Sequence, residues 1–200
     1  MERCFDVLRA HISKKIDLTE EEFARCTTFF VPKKLRKKQF LLREEEVCRH
    51  QAFVTKGCLR SYTIDTKGKE HVLVFAVEGW WISDMHSYLT GEPATYNIDA
   101  LEDSEVLLLN KAADERLCLD IPKFERYFRL LYRGSLVSWL RRTDASLSLS
   151  AEEKYLWMLQ TYPNIPQRLP DHQIASYLGI TPESLSRLRK HLSRKKSLES

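Results

Sequence analysis

The chain reads as α+β, with strands gathered in its N-terminal half and helices at its C-terminal end. Three observations predict this. Short β-branched and aromatic runs, separated by turn residues, succeed one another between residues 39 and 109. A helical period replaces them after residue 121. Residues 171–190 then hold two short amphipathic helices around a glycine turn, a helix-turn-helix. The 200 residues suffice for one large domain or two small ones, and a 43% apolar content can fill a core.

Residues 3–28 read as two short helices. Thr19 and Glu22 form a capping box ahead of Phe23 and Cys26. The strand candidates follow: Gln39–Leu42, Ala52–Thr55, Leu59–Ile64 and His71–Val77. Asp65-Thr66-Lys67-Gly68 has the turn chemistry of a hairpin. Tyr96–Leu101 alternates, and Val106–Leu109 ends the series. Many short strands suggest a sandwich or small barrel. The basic run Lys33–Lys38 resembles a nucleic-acid patch or localisation signal, but it falls between strands and is expected as a solvated hairpin.

Five cysteines (Cys4, Cys26, Cys48, Cys58 and Cys118) show no C-x2-C spacing, so free thiols are expected rather than a zinc or iron–sulfur site. Met1–Asp6 contains no apolar leader core, and the longest apolar run is Val72–Val77, far short of the roughly 20 residues of a membrane helix. The expectation is a cytoplasmic protein with no membrane partner.

Ile121-Pro122 opens a long helix expected to reach about Arg142, proline being tolerated at a first helical position. Phe124, Tyr127, Phe128, Leu131 and Trp139 project to one broad face, widened by Leu136, while Arg126, Arg129 and Arg133 share a polar arc. A face this wide suits either a second subunit or two domains of one chain, and dimerisation is the reading taken. Asp144–Ser150 is polar and serine-rich, an expected hinge. Ser150 and Glu153 form a second capping box, starting a helix with Tyr155, Leu156 and Leu159; Pro163, Pro166 and Pro170 then break the chain.

In the helix-turn-helix, Asp171 is expected to cap the first helix, Ile174 and Leu178 lie on its buried face, and Ala175 is small where helices cross. Gly179 permits a left-handed turn. Thr181 caps the second helix, Pro182 takes its first position, and Leu185, Leu188 and Leu192 form its buried stripe. The opposite face carries Glu183, Ser186, Arg187, Lys190 and Arg194. Arginine can donate twice to guanine, a carboxylate accepts from cytosine, and a hydroxyl suits either kind of edge. Glu183, Ser186 and Arg187 are therefore the expected base readers, and Thr181, Ser184, Lys190 and Arg194 the phosphate contacts on double-stranded DNA. Residues 182–198 hold six basic residues against Glu183, a net of +5 in a chain whose total is +4.

A β-rich region, a long helix and this helix-turn-helix together resemble the Crp/Fnr family of bacterial transcription regulators, most specifically over Ile180–Lys190. The order Glu183-Ser184-Leu185-Ser186-Arg187 resembles the anaerobic-regulator form of the recognition helix; Pro182 stands where the cyclic-AMP receptor form has a further arginine. The resemblance implies a β-roll (a double-stranded β-helix, jelly-roll-like) resembling cyclic-nucleotide-binding domains over residues 1–120. It further implies a dimerisation helix over 121–145 and a winged helix-turn-helix over 146–200. It implies a homodimer on a palindromic site, with RNA polymerase as a further partner.

The family's phosphate cassette has a glycine–glutamate pair and then an arginine about ten residues on. Here Ser83-Asp84 and Ala94-Thr95 stand at those places, and no arginine lies between Arg60 and Arg116. A cyclic phosphate would lack its guanidinium, so cyclic AMP is not expected as ligand and no cofactor is assigned. Trp80, Asp84, His86, Thr95 and Tyr96 mark the candidate effector pocket; for Trp80 and Trp81, core packing is the competing reading. The rival class is a metal enzyme on a cupin-like barrel, which needs converging histidines and a carboxylate. His50, His71 and His86 are isolated, with no His-x-His pair and no nucleophile elbow or phosphate loop nearby, so neither a metal site nor an enzyme is expected. A dimeric scaffold that does not bind DNA is the remaining alternative, which the intact reading face over 183–194 opposes.

Overall fold

The computed structural model describes residues 2–198, with side chains from Cys4 to Lys195. Its elements in chain order are α1 (Glu2–Ile12), α2 (Glu20–Thr27), β1 (Val31–Leu35), β2 (Phe40–Leu42), β3 (His50–Lys56), β4 (Leu59–Ile64), β5 (Glu70–Ala76) and β6 (Trp81–Ile82). There follow α3 (Met85–Thr90), β7 (Asn97–Ala100), β8 (Ser104–Asn110), α4 (Lys111–Asp120), α5 (Lys123–Ser148), α6 (Ala151–Thr161), α7 (Ile165–Arg168), α8 (Asp171–Leu178) and α9 (Pro182–Leu198). The chain divides into two compact units, Met1–Thr63 with Leu73–Gly134, and Ile64–Val72 with Ser135–Ser200.

The first unit is built on two four-stranded sheets, ordered β1-β8-β3-β6 and β2-β7-β4-β5. The pairings of β1 with β8, β3 with β8 and β4 with β7 are antiparallel. Residues alternate faces along a strand, which explains why Val106–Leu109 is apolar without interruption. Val106 and Leu108 join the core between the sheets with Leu35, Ala52, Val54 and Ile98. Leu107 and Leu109 join a second core on the other face of the same sheet, with Leu8 and Ile12 of α1 and Leu117 of α4. A sheet covered on both sides needs no polar face.

The basic run is only partly a loop. Lys33 and Lys34 belong to β1, an edge strand paired with β8 alone, and the turn begins at Arg36. The sequence alternates too weakly there to reveal a strand, because an edge strand tolerates lysines that discourage further pairing.

The long helix also departs from expectation. Phe124 and Tyr127 are fully buried and Phe128 is 5% exposed, all within the roll's second core, with Leu131 packed against it. These residues cannot present a face to another chain without unpacking that core. The large apolar residues left in solvent are Leu136, Val137, Trp139, Leu140 and Leu147, further along the helix. The proposed hinge is helical through Ser148. Thr143, Ser146 and Ser148 donate their hydroxyls back to carbonyls three or four residues earlier, which keeps polar residues within a helix. Both capping boxes are present, Thr19–Glu22 on α2 and Ser150–Glu153 on α6.

The second unit gathers the end of α5, helices α6 to α9 and the hairpin tip of residues 64–72. Ser176 of α8 accepts the Val72 N–H at 3.1 Å and donates to the Glu70 carbonyl at 2.7 Å. Among the described residues no strand follows β8, and α9 runs on to Leu198. No helix of the described residues is long and apolar enough to cross a membrane.

Candidate functional site

Helix α8 buries Gln173, Ile174, Ala175, Tyr177 and Leu178. It ends at Gly179, whose φ of 70° and ψ of 27° lie in the left-handed region where a side chain would be strained. The Ile180 N–H reaches back to the Ala175 carbonyl at 3.0 Å, closing the turn. Thr181 Oγ1 then accepts the Ser184 N–H at 3.2 Å, capping α9 as expected. Asp171 does not cap α8: Pro170 holds that position and Asp171 is the first helical residue. Its carboxylate instead accepts from Arg189 Nη1 at 2.6 Å.

Leu185 is fully buried, and Leu188 and Leu192 are half-buried. Thr181, Glu183, Ser186, Arg187, Lys190 and Arg194 are all exposed. The base-reading candidates therefore share the solvent face of α9, as does the pair assigned to phosphate further along. Ser184 is half-buried, and its hydroxyl accepts from Arg187 Nη2 at 3.1 Å. Glu183 is held below the usual carboxylate range by hydrogen bonds from its own backbone N–H and the Thr181 hydroxyl, with the Arg187 charge adding to them. It is thus an anion, ready to accept. The Lys196 side chain, counted in the basic segment, lies outside the described residues.

Sequence reasoning missed the role of Arg189. At about 100° per residue it projects beside Leu185 and Leu192 on the buried stripe. A charge there requires partners, and Asp171 of α8 and the Tyr155 hydroxyl of α6, 3.1 Å from Nε, provide them. That projection was the available signal.

In the roll, Asp84 is fully buried and caps α3, accepting the Ser87 N–H at 3.0 Å. It also accepts the Thr95 N–H at 2.9 Å and the Thr95 hydroxyl at 3.3 Å. The cassette positions thus meet, but around an internal carboxylate. His86 is exposed near Glu92, 3.5 Å away; Tyr96 is half-buried, and Trp80 packs against the core between the sheets. His71 pairs with Asp65 at 2.8 Å, and no three histidines, cysteines or carboxylates gather as metal donors among the described residues.

None of the five pocket candidates lines the cavity that opens at one end of the two sheets. This cavity, of about 480 Å³, is walled by Leu41, Leu42, Ile82, Ile98 and Leu108, with Lys33, Glu46, Arg49 and His50 also on its lining. The alternation along β1 and β3 was the signal: Lys33 precedes Leu35 by two residues and His50 precedes Ala52 by two, so each shares an inward face.

Comparison with known proteins agrees with this architecture. Residues 32–120 match the family model described as a cyclic nucleotide-binding domain. No curated protein matches the chain. Among solved structures, FixK2 from Bradyrhizobium japonicum is 20% identical with a TM-score of 0.70, over 84% of this chain and 86% of that one. The c-di-GMP responsive global regulator CLP of Xanthomonas campestris is 13% identical with a TM-score of 0.70, over 89% and 93%. The Thermus thermophilus catabolite activator protein is 21% identical with a TM-score of 0.53, over 90% and 85%.

Proposed function

From a cyclic nucleotide-binding domain at residues 32–120, set in a chain with the fold of Crp/Fnr regulators, we propose a sequence-specific DNA-binding transcription regulator that acts as a homodimer. The observation that carries this is α9. It presents Glu183, Ser186 and Arg187 to solvent on one face, while Leu185 is fully buried on the other. Arg187 and Glu183 discriminate base edges; Lys190 and Arg194, further along the helix, hold phosphates. Ser184 contributes chiefly by fixing the cap and the Arg187 guanidinium.

The dimer reading rests on the exposed part of α5. Leu136, Leu140 and Leu147 fall within about 40° of one another around the helix, and Leu136 and Leu140 are 60% and 62% exposed. Pairing two such stripes removes them from water and sets two recognition helices about a twofold axis. Control works by population shift, a ligand of the roll favouring the dimer geometry that matches the site. Cyclic AMP is not that ligand. Asp84 already takes the Ser87 and Thr95 N–H groups, and the cassette offers no arginine to a phosphate. The chain acts in the cytoplasm by binding rather than catalysis, and RNA polymerase is its partner on DNA by family resemblance.

Selection of duplexes from a random pool at near-physiological salt tests this. The expected product is a two-half-site palindrome. Arg187→Ala relaxes the preference at one base pair per half-site and costs about 1–3 kcal/mol. Lys190→Ala weakens binding alike on all sequences and flattens its salt dependence. No enrichment, or equal loss on every sequence for Arg187→Ala, contradicts the assignment.

A further inference from the structure

The open end of the roll has a chemical asymmetry that the DNA-binding reading does not use. The cavity of about 480 Å³ lies within the range of small-molecule sites. Leu42, Ile82, Ile98 and Leu108 make an apolar floor drawn from both sheets. Three nitrogen-bearing side chains, Lys33, Arg49 and His50, complete the wall. None of the three has a side-chain hydrogen bond or ion pair among the described residues. Lys33 points inward from an edge strand, on the face of Leu35, although solvent was available on the other side. Burial, together with the positive charges of Lys33 and Arg49, holds the His50 imidazole below its ordinary pKa, so the three groups share one field.

Like charges gathered without a counter-charge are unfavourable unless an anion joins them. Glu46, the acidic residue on the wall, forms no ion pair with any of the three among the described residues; its carboxylate accepts the Arg43 N–H at 3.0 Å instead. The buried guanidinium of the roll is likewise committed, Arg60 being held by both oxygens of Asp99 at 2.8 and 3.0 Å.

We propose that this cavity binds a small apolar monoanion, a carboxylate with a hydrocarbon body. Arg49 and Lys33 hold the charged head, with His50 as a further donor, and the body lies on the leucine–isoleucine floor. Arg49 is exposed, so it can turn onto the head group and offer two parallel donors.

Calorimetric titration of the full chain with octanoate tests the proposal, with 1-octanol, inorganic phosphate and cyclic AMP as parallel ligands. No DNA is present, so the outcome is independent of the DNA-binding reading. Octanoate is expected to bind once per chain, saturating below about 1 mM, with each other ligand at least about tenfold weaker. Arg49→Ala, an exposed position, should weaken octanoate at least about tenfold and Lys33→Ala severalfold, while Arg43→Ala leaves it unchanged. No saturable octanoate binding, equal affinity for 1-octanol, preference for cyclic AMP, or an unaffected Arg49→Ala variant would each overturn it.

Discussion

Asp114 is a carboxyl group placed where charge is disfavoured. Tyr88 of α3 and Gln51 of β3 each donate to its Oδ2 at 3.3 Å, and Gln51 also donates to the Tyr132 hydroxyl of α5 at 2.9 Å. Burial raises its pKa to about 6, and Glu115 and Glu125 add to the rise. The folded state therefore favours the protonated acid. The stabilising contribution is complete below the unfolded pKa of about 3.9 and is lost as pH rises through about 6. Asp114→Asn keeps an acceptor without the charge. It should stabilise the protein by about 1–2 kcal/mol at pH 8, allowing for partial solvation, and the gain should shrink towards zero near pH 4. Urea denaturation across that range checks this; parallel pH curves for the two proteins contradict it.

Helix α9 depends on its seat as well as its reading face. Arg189 ties it to α8 through Asp171 and to α6 through Tyr155, with the guanidinium also 5.7 Å from the Tyr155 ring centre. Arg189→Ala should lower stability by about 0.5–1.5 kcal/mol in denaturant, since it removes the hydrogen bonds to Tyr155 and to the half-exposed Asp171 carboxylate. It should weaken DNA binding on all sequences alike. Unchanged stability with an altered base preference would instead make Arg189 a reader. The glycine turn, both capping boxes and most strands were legible because each rests on local chemistry: a left-handed residue, a hydroxyl three residues before a carboxylate, a period of two. Helix α4 was not, because it buries only Leu117 and shows no stripe. The six-residue α3 gives no helical period to detect, and its cap Asp84 looked like a pocket residue. Arg189, Lys33 and His50 were misjudged for a shared reason. A polar residue on an inward face resembles a surface residue until its partners, or its cavity, are seen.

The long helix changes role along its length. Its first half completes the roll's core, and its exposed large apolar residues lie in the second half. Sequence projection merged the two halves into one broad face, since a helical wheel does not record where a core ends. A stripe with Leu136 and Leu140 more than half exposed is unusual for a monomer. The double variant Leu136→Glu/Leu140→Glu should keep its far-ultraviolet circular dichroism and halve the molar mass seen by light scattering. An unchanged mass would place the dimer contact elsewhere or remove it. In the proposed complex two copies of α9 read two half-sites together. The most direct test of this is the mass and affinity of the complex on the selected duplex, with and without about five base pairs, half a helical turn, inserted between the half-sites. Two chains per duplex are expected, with a loss of at least about tenfold on insertion, as one recognition helix swings to the far side of the DNA. One chain per duplex, or affinity indifferent to spacing, would contradict it.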